Sequence, residues 1–103
     1  MTIPEFDLSG RKVLLIGASR GLGRGIARVL AEAGADIAIA SLSARSARAA
    51  AEDISAVGRT AVSYAADATQ CAAMDRLAER VHAEFGPIDV LVNCVGDSVS
   101  KPL

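Results

Sequence analysis

The feature that most limits what this 103-residue chain can fold into is an alternation between two kinds of apolar spacing. Short continuous apolar runs suit strands buried on both faces, whereas stripes repeating every three or four residues suit helices. Lys12–Gly17 (KVLLIG), Asp36–Ser41 (DIAIAS), Thr60–Ala66 (TAVSYAA) and Ile88–Asn93 (IDVLVN) read as four strands. Between the first two, Leu22, Ile26, Val29, Leu30 and Ala33 recur at helical spacing, and Gly34 is a natural stop. Ala47, Ala50, Ala51, Ile54 and Val57 form the inner stripe of a second helix ended by Gly58. Met74, Leu77, Val81 and Phe85 line a third before Gly86-Pro87, and a polar loop runs from the fourth strand to Leu103. Strands that alternate with helices predict a parallel sheet with right-handed crossovers, in strand order 3-2-1-4. The expected fold class is therefore α/β, a three-layer αβα arrangement of Rossmann-like type. Its winding reverses beside the first strand, and ligands bind there at the carboxyl ends of the strands. Gly17 and Asn93 both fall at that place.

Composition agrees with this plan. Half the residues are apolar but only 3% are aromatic, so the core is expected to be Ala, Val, Ile and Leu, with alanine-rich helices on a parallel sheet. A net charge of −1 with interspersed Arg and acid gives no footprint for nucleic acid. No apolar stretch is long enough to span a bilayer, and MTIPEFDLSGRK does not have the form of a secretory signal. A cytoplasmic location is the expectation. Cys71 and Cys94 form no CxxC and the chain has one histidine, so reduced thiols are expected in place of a zinc site or a disulfide.

The chemistry-bearing stretch is Leu14–Ala27, LLIGASRGLGRGIA, with glycines at 17, 21, 23 and 25 where a strand hands over to a helix. Glycine costs backbone entropy on folding, so such a cluster needs a reason. A tight turn is one, and a cradle for phosphate is the other. A helix N-terminus has four unpaired N–H groups and a partial positive charge, which stabilise an anion such as pyrophosphate. Gly17 suits the turn out of the strand, and Gly21 and Gly23 let a ligand or a neighbouring strand approach the backbone. Gly25, inside the helix, has no explanation at this level.

The spacing Gly17-Ala-Ser-Arg-Gly21-Leu-Gly23 resembles the short-chain dehydrogenase/reductase family, and the resemblance runs through almost the whole chain. DLSGRKVLLIGASRGLG is similar to the family's opening, with Ile16 where Thr is usual. ADAT, Ala66–Thr69, resembles the family's acidic loop, which implies a hydrogen bond from the adenine amino group to Asp67 and a ring contact at Ala68. IDVLVNCVG resembles the strand ending in Asn-Asn-Ala-Gly; Asn93 and Gly96 match, while Cys94 and Val95 replace the second Asn and the Ala. The resemblance implies a dinucleotide cofactor held by Gly17, Ser19, Arg20, Gly21, Leu22, Gly23, Asp67, Ala68, Asn93 and Gly96. Each motif also has a plain reading: Asp67 begins a loop or caps the third helix, Asn93 bonds its own loop, and Cys94 is a small hydrophobe. His82 and the charges Asp75, Arg76, Glu79, Arg80 and Glu84 read as helix surface.

NAD selectivity usually needs a carboxylate after the second strand, about 20 residues past the glycines. Ser41 stands there, and Asp36 is at the other end of the strand. Arg20, with Arg45 or Arg48, supplies charge for a 2′-phosphate, although Leu42 stands where many NADP-preferring members have Arg. NADP(H) is therefore expected over NAD(H). The family's catalytic Tyr-x-x-x-Lys is missing: the single tyrosine, Tyr64, is followed by Ala68 at that spacing, and the lysines are Lys12 and Lys101. No catalytic residue is assigned. Residues 1–103 thus read as one dinucleotide-binding domain, incomplete at its C-terminal side and inactive alone, from a carbonyl or alcohol oxidoreductase. The alternatives are a non-catalytic nucleotide-binding or edge-strand assembly module, or a truncated product without function. An apolar fourth strand at the sheet edge and an uncovered sheet face lead to an expectation of self-association.

Overall fold

A computed structural model describes residues 7–18 and 21–94. Seven elements follow one another: β1 (Lys12–Ile16), α1 (Gly21–Glu32), β2 (Asp36–Ser41), α2 (Ala44–Ser55), β3 (Ala61–Ala65), α3 (Cys71–Glu84) and β4 (Val90–Asn93). The sheet order is β3-β2-β1-β4, and all three pairings are parallel, with Lys12 opposite Asp36, Ile37 opposite Ala61 and Val13 opposite Val90. This is the αβα arrangement and the order expected from the alternation. Strand ends differ by one or two residues. Gly17 leaves β1 and turns, and Ile88 and Asp89 lead into β4 without joining it. The expected polar loop to Leu103 lies outside the described residues.

The sheet has a core cluster on each face. On one, Val13, Leu15, Ile37 and Ile39 stand up from the sheet and meet Ala27, Ala31, Ala47 and Ala50 of α1 and α2. On the other, Leu14 and Ile16 of β1 stand beside the small Ala38 and Ala40 of β2, and Tyr64 with Leu77, Val81 and Phe85 at α3 completes the cluster. Small residues beside large ones on each face fill the interior. Burying each of these branched side chains is worth about 1.5–3 kcal/mol.

The stripe read from the sequence of α1 is corrected by this packing. Gly23, Ala27 and Ala31 face the sheet, while Leu22 is 81% and Val29 64% exposed. Ile26 and Leu30 of the expected stripe do pack, partly buried, at the border of this core, so Leu22 and Val29 are the residues that depart from it. The smallest residues of α1 lie closest to the bulky strand side chains. In α2 and α3 the expected inner residues are in place: Ala47, Ala50, Ala51, Ile54, Leu77, Val81 and Phe85 are buried.

Candidate functional site

Three loops meet at the carboxyl ends of the strands. The first begins at Gly17, whose N–H donates to Ala40 O at 2.7 Å. Its φ of +79° then turns the chain out of the ladder, and Gly21 opens α1 at φ +63°. Both conformations disfavour any residue with a Cβ. Among the described residues, nothing lies within 4 Å of where a Gly21 Cβ would stand. No acidic side chain in that first turn offsets the positive helix end. Gly23 has a different reason to be glycine. A Cβ there would come 2.8 Å from Ala18 Cα and 3.1 Å from Cys94 Cβ, so its smallness lets α1 close on the turn and on the end of β4. Ser19, Arg20 and Gly96 lie outside the described residues. Leu22 follows Gly21 with its side chain exposed.

The second loop carries Asp67. Its Oδ1 accepts from Thr69 N–H at 2.9 Å and from Thr69 Oγ1 at 2.6 Å, and Asp67 O accepts from Gln70 N–H at 3.0 Å. The Thr69 hydroxyl, and then its amide, hold the carboxyl below the ordinary value of 3.8. Asp67 does not cap α3: the cap is Gln70, which makes no side-chain cap bond. Asp67 instead ties its own turn together, and Ala68 packs half-buried against the α3 side of the core. Thr69 escaped the sequence reading, although an Asp followed two residues later by Thr is a known turn pattern.

The third loop follows β4. Asn93 lies opposite Ile16 in the register, and Cys94 N–H donates to Ile16 O at 2.8 Å. Cys71 and Cys94 are free thiols, Cys71 exposed and Cys94 half-buried against α1. Glycine turn, Asp67 loop and β4 end thus share the carboxyl side of the sheet, at and beside the β1–β4 reversal.

At the end of β2, Ser41 is buried and its hydroxyl donates to Ser43 O at 2.8 Å. Ser43 Oγ accepts from Ser46 N–H and caps α2. Arg45 and Arg48 are exposed on α2. Asp36 sits at the opposite end of the strand, 3.8 Å from Lys12 Nζ. Tyr64 is buried with Arg80 5.1 Å from its ring centre. Burial, then the nearby Glu84, push its phenol above the ordinary 10.0, the reverse of what a general base working near neutral pH needs.

A model of the short chain dehydrogenase family matches residues 11–103. The chain belongs to the short-chain dehydrogenase family. Hydroxynaphthalene reductase arp2 of Aspergillus fumigatus is 42% identical to this family member over 103 residues, which are 99% of this chain and 38% of that protein. The Pseudomonas aeruginosa RhlG/NADP active-site complex superposes with a TM-score of 0.85 at 36% identity, over 90% of this chain and 37% of that one. Hydroxysteroid dehydrogenase from Escherichia coli superposes at 0.88 and 30% identity, over 95% and 42%. The chain therefore spans less than half the length of these relatives. Among the described residues, no helix is long and apolar enough to cross a membrane.

Proposed function

We propose that this chain is the cofactor-holding portion of an NADP(H)-dependent oxidoreductase acting on a carbonyl or alcohol. The observation that carries the reading is the N-terminal turn of α1, entered through glycines at positive φ at the winding reversal of a family-member sheet. Backbone N–H groups from Gly17 to Gly23, with Ser19 and Leu22, take the pyrophosphate. Asp67 accepts from the adenine amino group through the oxygen not engaged by Thr69, and Ala68 lies against the ring. Asn93 and Gly96 line the inner ribose and nicotinamide. When bound, the nicotinamide supplies or accepts a hydride; the chain's residues bind and orient it.

NADP(H) is favoured because Ser41, already committed to Ser43 O, presents no carboxylate against a 2′-phosphate. Arg20, with Arg45 or Arg48, provides charge-assisted hydrogen bonds. The solved relative described as an NADP complex supports a nicotinamide dinucleotide at this site. With no Tyr-x-x-x-Lys in the sequence, the 103 residues are expected to have no turnover of their own.

Fluorescence titration with NADPH and NADH tests the reading. NADPH is expected to bind more tightly, and Arg20→Ala to weaken it roughly tenfold or more, the scale of a lost charged hydrogen bond. Tighter NADH binding, or no effect of Arg20→Ala, overturns the NADP(H) assignment. No saturable signal at millimolar cofactor overturns binding by this chain.

A further inference from the structure

The Asp67 loop is held from three sides by the chain's own groups. Ala66 N–H donates to Ser41 O at 2.8 Å, which anchors the loop to the carboxyl end of β2. Ala68 packs against the α3 side of the core. Thr69 supplies the third hold, and it acts on the carboxylate itself. Both of its donors, the amide at 2.9 Å and the hydroxyl at 2.6 Å, fall on the same oxygen, Oδ1.

This one-sided engagement has two consequences. Two donors converging on one atom keep the side chain in a single orientation. The second oxygen, Oδ2, is left to accept, because among the described residues nothing donates to it. No described lysine or arginine forms an ion pair with Asp67 either, so Thr69 alone steers the carboxylate. An aspartate is ionised at neutral pH, and such an oxygen accepts hydrogen bonds but offers none. A purine with an amino group, as in adenine, brings it a donor. The same purine with a carbonyl there, as in hypoxanthine, sets lone pair against lone pair.

We propose that Thr69 is a positioning residue whose hydroxyl aims the free oxygen of Asp67, and thereby sets the preference for an aminopurine over an oxopurine in the bound dinucleotide. The inference rests on the reading that Asp67 accepts from the adenine amino group. Thr69 itself touches no cofactor; it acts through Asp67. A carboxylate fixed beforehand loses no side-chain freedom when the base arrives. One that can swing loses that freedom on meeting an amine, and swings away from a carbonyl. Removing the hold therefore weakens the right base, spares the wrong one and narrows the gap between them.

Fluorescence titration of the full chain with NADPH and with reduced nicotinamide hypoxanthine dinucleotide phosphate, which differ only in that group, tests it. The unaltered chain is expected to prefer NADPH roughly tenfold or more. Thr69→Val and Thr69→Ala are each expected to shrink that preference roughly threefold or more, and Thr69→Ser, which keeps the hydroxyl, to retain it. Thr69 is exposed, and circular dichroism of the variants separates lost aim from lost folding. Asp67→Asn, whose amide can turn a donor toward a carbonyl, is expected to abolish the preference. A preference that survives both Thr69→Val and Thr69→Ala, or an equal loss of affinity for the two dinucleotides in folded variants, overturns the role of Thr69 and leaves the adenine contact standing. No preference in the unaltered chain, or one that survives Asp67→Asn, overturns the adenine contact and the proposal with it.

Discussion

β1 and β4 are hydrogen-bonded neighbours with nearly the same apolar text, yet they have opposite surroundings. β1 has strands on both sides and helices on both faces, and Leu15 is completely buried; among the described residues β4 has a strand on one side, and Leu91 is mostly exposed. Hydrophobic residues in a strand therefore state that a covering is needed, not where along the sequence it comes from. The contrast continues on α1, whose glycines 23 and 25 look alike in the sequence. One is wedged between Ala18 and Cys94, and the other has nothing within 4 Å among the described residues.

The sharpest way to break this contrast is a pair of truncations followed by urea unfolding. Leu15→Ala is expected to cost about 2–5 kcal/mol, the range for a buried leucine, while Leu91→Ala in these 103 residues stays within about 0.5 kcal/mol. Equal losses would mean that β4 is covered after all. The glycine pair is expected to give smaller effects of opposite sign. Gly23→Ala forces α1 away from the turn and destabilises by about 1–3 kcal/mol. Gly25→Ala adds a methyl in open space and stabilises by up to about 1 kcal/mol. If both shifted the melting temperature in the same direction, the account of two differently packed sides of α1 would be wrong.

The smallest expected effect lies in the Asp67 loop. The Asp67 carboxyl is held below 3.8 by Thr69. A depressed folded value favours the native state above the unfolded pKa, and that contribution is lost as pH falls through the folded one. Any loss of stability from this loop therefore belongs to acid below about pH 4. Thr69→Val, followed by NMR titration of the Asp67 carboxyl, is expected to move the midpoint up toward the ordinary value. An unchanged midpoint would remove the Thr69 hydroxyl as its main cause.

Alternating apolar periods were enough to reach the four parallel strands, their order 3-2-1-4 and the placing of Gly17 and Asn93 at the winding reversal, whereas the Asp67 loop entered only through the family resemblance. These features are local, because strand and helix spacing and positive-φ glycines express backbone geometry that each segment carries with it. Which side of α1 meets the sheet was decided only in three dimensions. Leu22 and Val29 belong to the expected stripe but stay exposed, while Ile26 and Leu30 pack partly buried at its border and Gly23, Ala27 and Ala31 meet Val13, Leu15, Ile37 and Ile39 of the strands. A local pattern records how hydrophobic a face is, whereas packing also depends on the volume of the side chains opposite, which come from distant parts of the chain. The folded state likewise decided that Gly23 makes room for Cys94 and that Thr69 holds Asp67.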